Sequence, residues 1–189
     1  IGIVGCGRIS RNHIKAIILN SSRAEIIAIC DENEDNLERT RVFIEEKFLE
    51  SNVEKKNIFL FRNYAELISS KEKLKLDLIV LATPSGLHSE QTILAAKAGI
   101  NVCTEKPMAI KWQDGLDMTE ACKKEGVKLF VVKQNRFNST LKLVKKQIED
   151  GRFGRLHLVT TNVFWQRPQA YYDQDAWRGT MDMDGGALM

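Results

Sequence analysis

The 189-residue sequence has little that speaks for metal, disulfide, membrane or polyanion chemistry. Its four cysteines, at positions 6, 30, 103 and 122, include no C-x-x-C pair and no histidine at metal-ligand spacing. A disulfide scaffold and a metal site are therefore not expected. Three of the four lie in apolar strand-like or turn surroundings, where a free cysteine acts as a small buried hydrophobe. Reduced thiols of this kind point to a cytoplasmic setting. No apolar run approaches the roughly 18 residues of a membrane span, since LDLIVLATP is cut by Asp77 and Pro84, and no membrane association is expected. Charge of one sign is also missing. The 28 basic and 25 acidic residues leave a net +3, interleaved along the chain, so no basic face marks a nucleic-acid partner. No signal peptide precedes Ile1 and no methionine opens the chain, while the other end stops at DGGALM, so both ends read as cuts inside a longer sequence.

What is present is ordinary globular composition, 43% apolar and 28% charged, in a length that suits one domain and a fraction. IGIVG reads as a buried strand, and ISRNHIKAIILN returns Ile9, Ile14, Ile17 and Ile18 at helical spacing. EIIAICD is a second strand, followed by a surface helix carrying Leu37, Val42, Phe43 and Phe48 among charges. IFLFRN, DLIVLAT, NVCTEKP and KLFVVKQNRF supply four more apolar runs. The helices between them are YAELISS, LHSEQTILAAKAG closed by Gly99, and WQDGLDMTEACKKEG. Six such strands alternating with helices predict an α/β fold, a doubly wound parallel Rossmann sheet whose ligand lies beyond the carboxyl ends of the strands. After STLKLVKKQIEDGRFG the pattern changes. RLHLVTTNVFWQ alternates, with Leu156, Leu158, Thr160, Asn162 and Phe164 on one side. It predicts the start of an α+β domain with a largely antiparallel open sheet, truncated here. We draw the first unit as residues 1–134 and the start of the second as 135–189, with Gly151 to Gly154 breaking the intervening helix.

Gly5-Cys6-Gly7-Arg8-Ile9-Ser10 follows a strand and opens a helix, matching the dinucleotide fingerprint except that serine stands at the last place. The first glycine permits the tight turn, and the second lets backbone N–H groups approach a pyrophosphate at the positive end of the helix dipole. Serine is small enough for the close packing the last place requires. Asp31 ends the second strand 21 residues beyond Ser10, near the spacing expected of the acid that accepts the ribose hydroxyls. A carboxylate there repels a 2′-phosphate, so NAD is favoured over NADP. Glu32 strengthens the repulsion and Arg8 opposes it. Gly5, Gly7, Arg8, Ile9 and Asp31 are the cofactor-binding candidates of this half.

Thr104-Glu105-Lys106-Pro107 ends the fifth strand, where the nicotinamide should arrive. A lysine beside that ring is expected to be partly desolvated and its pKa lowered, suiting it to orient a hydroxyl and stabilise the alkoxide that forms as hydride leaves. Pro107 restricts Lys106 to extended backbone and allows a cis bond between them. A surface lysine opening a loop is the alternative. Thr83-Pro84-Ser85-Gly86-Leu87-His88 follows the fourth strand and lets the backbone lie along the cofactor, with His88 read as packing near it rather than as a base. Asn135 and Arg136 follow the sixth strand within reach of cofactor or substrate, and Asn138 is placed as a helix N-cap. His13 and His157 read as structural.

With GCGRIS, ICD, ATPSGLH, TEKPMA and NRFN in order, the chain resembles the Gfo/Idh/MocA oxidoreductases along its whole length. The resemblance implies that Lys106 assists oxidation of a hydroxyl, that Glu105 supports the nicotinamide ribose, and that hydride passes between the dinucleotide and a sugar or polyol carbon. The tail, FWQRPQAYYDQDAWRGTMDMDGGALM, is similar to the branch acting on the 3-hydroxyl of UDP-linked N-acetylated sugar acids in polysaccharide biosynthesis. In that reading Arg167 and Arg178 bind carboxylate or phosphate, and Tyr171, Tyr172 and Trp177 offer faces to a sugar or uracil. Core or subunit-contact aromatics are the alternative for these rings. An acid/base histidine beyond Met189 and association into a dimer or tetramer are further implications. Another sugar or polyol dehydrogenase, or a non-catalytic NAD-binding sensor or co-regulator, are the rival functions.

Overall fold

Short apolar runs flanked by helices of matching polarity produce the sheet seen in the computed structural model, which describes residues 1–54 and 56–185. Its strands are β1 (Gly2–Val4), β2 (Ala28–Cys30), β3 (Phe59–Phe61), β4 (Leu78–Leu81), β5 (Asn101–Thr104) and β6 (Leu129–Val131). All pair in parallel in the order β3-β2-β1-β4-β5-β6. Each parallel step needs a crossover, supplied by α1 (Ser10–Leu19), α2 (Glu34–Glu50), α3 (Tyr64–Ser69) with α4 (Lys71–Leu74), α5 (His88–Lys97) and α6 (Trp112–Lys124). The strand order reverses between β1 and β4. That switch point opens a crevice at the carboxyl edge of the sheet.

The pleat sends successive side chains to opposite faces, and both faces are buried. Ile3 and Ile29 pack with Ile14, Ile17, Leu37, Ile44 and Phe48 of α1 and α2. Val4, Cys30, Ile79, Leu81 and Val102 pack on the other side with Leu67 and Ala95. Cutting one of these isoleucines or leucines back to alanine costs about 2–5 kcal/mol, depending on how far the site collapses. The sheet is therefore a stiff platform for the loops at its edge.

Local chemistry sets the ends of the helices. The Asn33 and Asn63 side chains accept from the first N–H groups of α2 and α3. Gly99, at φ +69°, receives the end of α5 as expected.

Four details differ from expectation. The buried face of α2 is Leu37, Thr40, Ile44 and Phe48, while Val42 is exposed, because the stripe follows 3.6-residue spacing from Leu37. Asn138 occupies the N-cap of α7 (Ser139–Glu149), yet its side chain makes no capping bond and its amide reaches Asn135 instead. Short helical turns at 134–137 and at α8 (Gln169–Tyr172) were not expected. Over 156–166 no strand forms among the described residues. A strand holds only when a neighbour takes its N–H and C=O groups, and none of the described residues pairs with this stretch. Leu158, Val163 and Phe164 stand exposed along it.

Candidate functional site

The loop between β1 and α1 is built on two glycines with opposite surroundings. Gly5 has φ +88° and donates to the Cys30 carbonyl at 2.8 Å. A Cβ on it would lie 2.6 Å from the backbone of Ala82, so the chain passes between β2 and β4 with no room for a side chain. At Gly7 a Cβ would meet nothing within 4 Å, which leaves the space above the turn open to a ligand. Ser10 is fully buried, and its hydroxyl donates to the Gly7 carbonyl at 2.6 Å, closing the turn from within. Ile9 is partly exposed at the N-cap of α1.

Asp31 faces this turn. Its Oδ2 accepts from the Cys6 N–H at 2.8 Å, and Oδ1 accepts from the Asn33 N–H at 2.9 Å and from the Asn36 amide at 3.3 Å. A carboxylate offers roughly four acceptor directions, so Oδ2 keeps one for a ribose hydroxyl. The open turn, the helix N-terminus and the oriented acid together fit a dinucleotide: Gly5 and Gly7 let it approach, and Asp31 would hold its adenosine ribose. Cys6 and Cys30 lie beneath, and burial, reinforced by the Asp31 charge, pushes both thiols up to about 12. They are packing residues.

Across the switch point, β5 delivers Glu105 and Lys106. The Glu105 N–H donates to the Leu81 carbonyl, continuing the sheet by one residue. Its carboxylate is buried and makes two contacts: Oε1 with His13 Nε2 at 2.8 Å, and Oε2 with the Lys106 N–H at 3.2 Å. Burial works to raise the Glu105 pKa. The His13 hydrogen bond, the Lys106 N–H and the charges of His13 and Lys106 outweigh it, and the net shift is downward. The Lys106-Pro107 peptide is cis. Lys106 itself is exposed at the sheet edge, so the described residues do not supply the desolvation expected of it.

His13, expected to be structural, holds two parts of the site together. It lies on the same face of α1 as Ser10, Ile14 and Ile17, and a polar side chain on an otherwise buried stripe was the signal. By binding Glu105 it ties the helix that starts at the glycine turn to the segment that carries Lys106.

His88 does a similar job on the other side. Fully buried, it sets Nδ1 2.9 Å from the Pro107 carbonyl and Nε2 3.1 Å from the Thr83 carbonyl, spanning the β4 and β5 loops. Thr83 donates its hydroxyl to Gln91 at 2.6 Å, and Pro84 leads into a turn at 85–87. Burial pushes the His88 imidazole below its ordinary value, with the carbonyl contacts and Glu105 opposing in part. The folded protein thus binds this proton less readily than the unfolded chain. The stability tied to His88 is complete above the unfolded value of 6.5 and declines as pH falls from there through the folded value. A thermal-unfolding series from pH 8 to 5 should show this acid slope, and His88→Gln should flatten it. An unchanged slope in that variant would assign the loss to other groups.

The tail reaches the same edge. The Gly86 N–H donates to the Met183 carbonyl at 3.0 Å, and a Cβ on Gly86 would lie 2.4 Å from the Asp182 carbonyl, so this glycine is the seat of the 180–184 turn. Asp184 accepts from the Gly179 N–H at 2.7 Å. Arg167 lies 4.1 Å from the Trp165 ring centroid and 4.6 Å from that of Tyr171. Arg178 lies 4.5 Å from Tyr171 and 4.9 Å from Trp177, and Tyr172 meets Tyr171 edge to face. Arg8 of the glycine turn stands 5.8 Å from the same Tyr171 ring. Arg136 lies exposed in the 134–137 turn. Among the described residues no cluster suits a metal ion, and no helix is long and apolar enough to cross a membrane.

Comparison with known proteins agrees with this geometry. Two solved structures superpose over the whole chain with TM-score 0.84: the WlbA dehydrogenase of Bordetella pertussis, 49% identical, and that of Chromobacterium violaceum, 42% identical, each in complex with NADH and UDP-GlcNAcA. This chain spans 53% and 50% of their lengths. The D-apiose dehydrogenase of Paraburkholderia graminis is 31% identical over 153 residues, which are 80% of this chain and 36% of that protein. Residues 1–133 match the oxidoreductase family with an NAD-binding Rossmann fold, and the chain belongs to that family, the Gfo/Idh/MocA oxidoreductases.

Proposed function

We propose that the protein is an NAD-dependent dehydrogenase that oxidises a secondary hydroxyl, at C3, of a UDP-linked N-acetylated sugar acid. The observation that carries the reading is the placement of Lys106 at the carboxyl edge of β5, beside the switch point, on a segment held from below by His13 through Glu105 and by His88 through Pro107. Identities of 49% and 42% over the whole chain with dehydrogenases crystallised with NADH and UDP-GlcNAcA support the choice of substrate.

When bound, the dinucleotide supplies the hydride acceptor. The chain's own residues bind, orient and donate. Asp31 and the glycine turn anchor the adenosine half. Lys106 donates from Nζ to the oxygen of the reacting hydroxyl and stabilises the negative charge that grows there as the hydroxyl proton leaves for the acid/base histidine implied beyond Met189. Loss of hydride from the adjoining carbon then turns this oxygen into a carbonyl. Glu105, already oriented by His13, would support the ribose next to the nicotinamide. The substrate is held by the part of the chain from residue 135 onward, with Arg167 and Arg178 on its anionic groups and Tyr171 and Trp177 against its rings. Self-association through the apolar residues of 155–165 belongs to the same proposal.

The test is NADH formation, read as absorbance, when NAD is supplied with UDP-linked N-acetylated sugar acid or with free sugars and polyols. Turnover with the UDP-linked acid at least a hundredfold above the free compounds is expected. A free polyol turned over as well as the nucleotide sugar would replace this reading with that of a general sugar dehydrogenase.

A further inference from the structure

Arg62 stands at the adenosine end of the crevice with no task in the chemistry above. It follows β3, whose last residue, Phe61, accepts the N–H of Asp31 and so sets the ends of β2 and β3 side by side. From there its guanidinium lies over the loop that leaves β2. Nη2 is 3.5 Å from the Glu32 carbonyl, and Nη1 donates to Glu34 Oε1 at 2.5 Å. Glu34 is the first residue of α2, where a carboxylate suits the positive end of the helix. That accounts for the acid but not for the arginine, which reaches it from a different element 28 residues along the chain. Both side chains are exposed, and an exposed pair adds little to stability. Its effect is on the local charge. In Rossmann domains an arginine beside the end of the second strand is what accommodates the 2′-phosphate of NADP. Here such an arginine is in place, with its fork turned onto a carboxylate.

We infer that Glu34 is a specificity-determining residue: by engaging Arg62 it withholds from the crevice a cation placed to receive a 2′-phosphate, and so excludes NADP together with Asp31. This rests on the NAD-dependent reading above and on no assumption about the sugar. NAD presents a neutral 2′-hydroxyl to Asp31 and leaves the Arg62–Glu34 pair closed. Should a 2′-phosphate take Arg62 from Glu34, that carboxylate is left uncompensated close to Asp31 and Glu32. Three carboxylates then oppose the phosphate for one guanidinium that favours it, and at separations within the Debye length the exchange is unfavourable. Arg39, on the second turn of α2, is engaged elsewhere: its Nη2 donates to Asn36 Oδ1 at 2.7 Å and its Nε to the Asp35 carbonyl at 3.1 Å. Asn36 in turn donates to Asp31, so Arg39 supports the acid that selects NAD.

The experiment measures the Kd of NADH and of NADPH by nicotinamide fluorescence, which needs no turnover. Glu34→Gln keeps the size and polarity of the side chain and removes its charge. It should tighten NADPH by about fivefold or more and leave NADH within about twofold, and the unchanged NADH affinity also reports an intact fold. The gain should shrink below about twofold at about 0.5 M salt, where exposed charges are screened. It should vanish when Arg62→Ala is added to Glu34→Gln. A gain that survives Arg62→Ala would overturn the inference, since Glu34 would then act by its own charge alone. Equal changes for the two dinucleotides would reduce Glu34 to a helix-end residue, and no gain for NADPH would put Arg62 out of reach of the phosphate. Either result overturns the assignment while NADH binding leaves the NAD-dependent reading standing. Failure of that reading shows differently, as a parent protein that binds neither dinucleotide.

Discussion

Lys106→Ala is expected to lower kcat by about 10² to 10⁴, the range over which a positioned acid–base group contributes, while the Kd for NAD stays within about threefold. The split follows from the architecture. In the proposed site the adenosine half lies at β1 and β2, against the glycine turn and Asp31, whereas Lys106 lies at the end of β5 beyond Glu105. Removing an exposed side chain leaves the sheet and the cofactor site as they are. Only the group proposed to donate to the reacting oxygen is lost. Stopped-flow formation of NADH at saturating substrate reads the first quantity, and quenching of protein fluorescence by the dinucleotide reads the second. Lys106→Arg keeps the charge but enlarges the head group, so it should recover only a small part of the rate. Turnover in Lys106→Ala within a few fold of the parent would remove Lys106 from the chemistry and favour the alternative of a non-catalytic dinucleotide-binding sensor.

The parts of the molecule that were readable in one dimension are those in which local pattern and local chemistry agree. β1, the turn and α1 combine an apolar run, two glycines with distinct tasks and isoleucines at helical spacing, and all of it forms within 19 residues of the start. Asp31 was legible because a parallel crossover fixes how far along the chain the next strand must end. The contacts that make the site rigid were not legible, because they join distant positions. His13 and Glu105 are 92 residues apart, and nothing near either one announces the other beyond a polar residue on a buried stripe. The seat of the tail on Gly86 is equally remote, since the absence of a Cβ there has meaning only once the Asp182 carbonyl is in place. Residues 156–166 show the converse. Alternation is a condition for a half-buried strand, but the ladder depends on a neighbour, and the pattern alone cannot supply one.

Asp31 carries the second large effect, on the choice between NAD and NADP. Its carboxylate binds the Cys6 N–H of the glycine turn and the N–H of Asn33, the cap of α2. It is therefore held toward the place where the adenosine ribose belongs, with the negative charge that would meet a 2′-phosphate. Arg62, the basic residue after β3, is engaged with Glu34 at 2.5 Å, and Arg8 stands near Tyr171. Neither is paired with Asp31 to cancel that charge. Asp31→Asn keeps an acceptor oxygen for the Cys6 N–H while removing the charge. A hydrogen bond to a charged group contributes about 1.5–3 kcal/mol, and relief of repulsion toward the 2′-phosphate adds to it, so the ratio of kcat/KM for NAD over NADP should fall by about 10². Asp31→Ala should lose the same preference and also melt earlier, because the Cys6 N–H would be left without its acceptor. Measured with both cofactors at limiting concentration, a ratio unchanged in Asp31→Asn would show that the discrimination lies elsewhere in the crevice, with Glu32 the next carboxylate to replace.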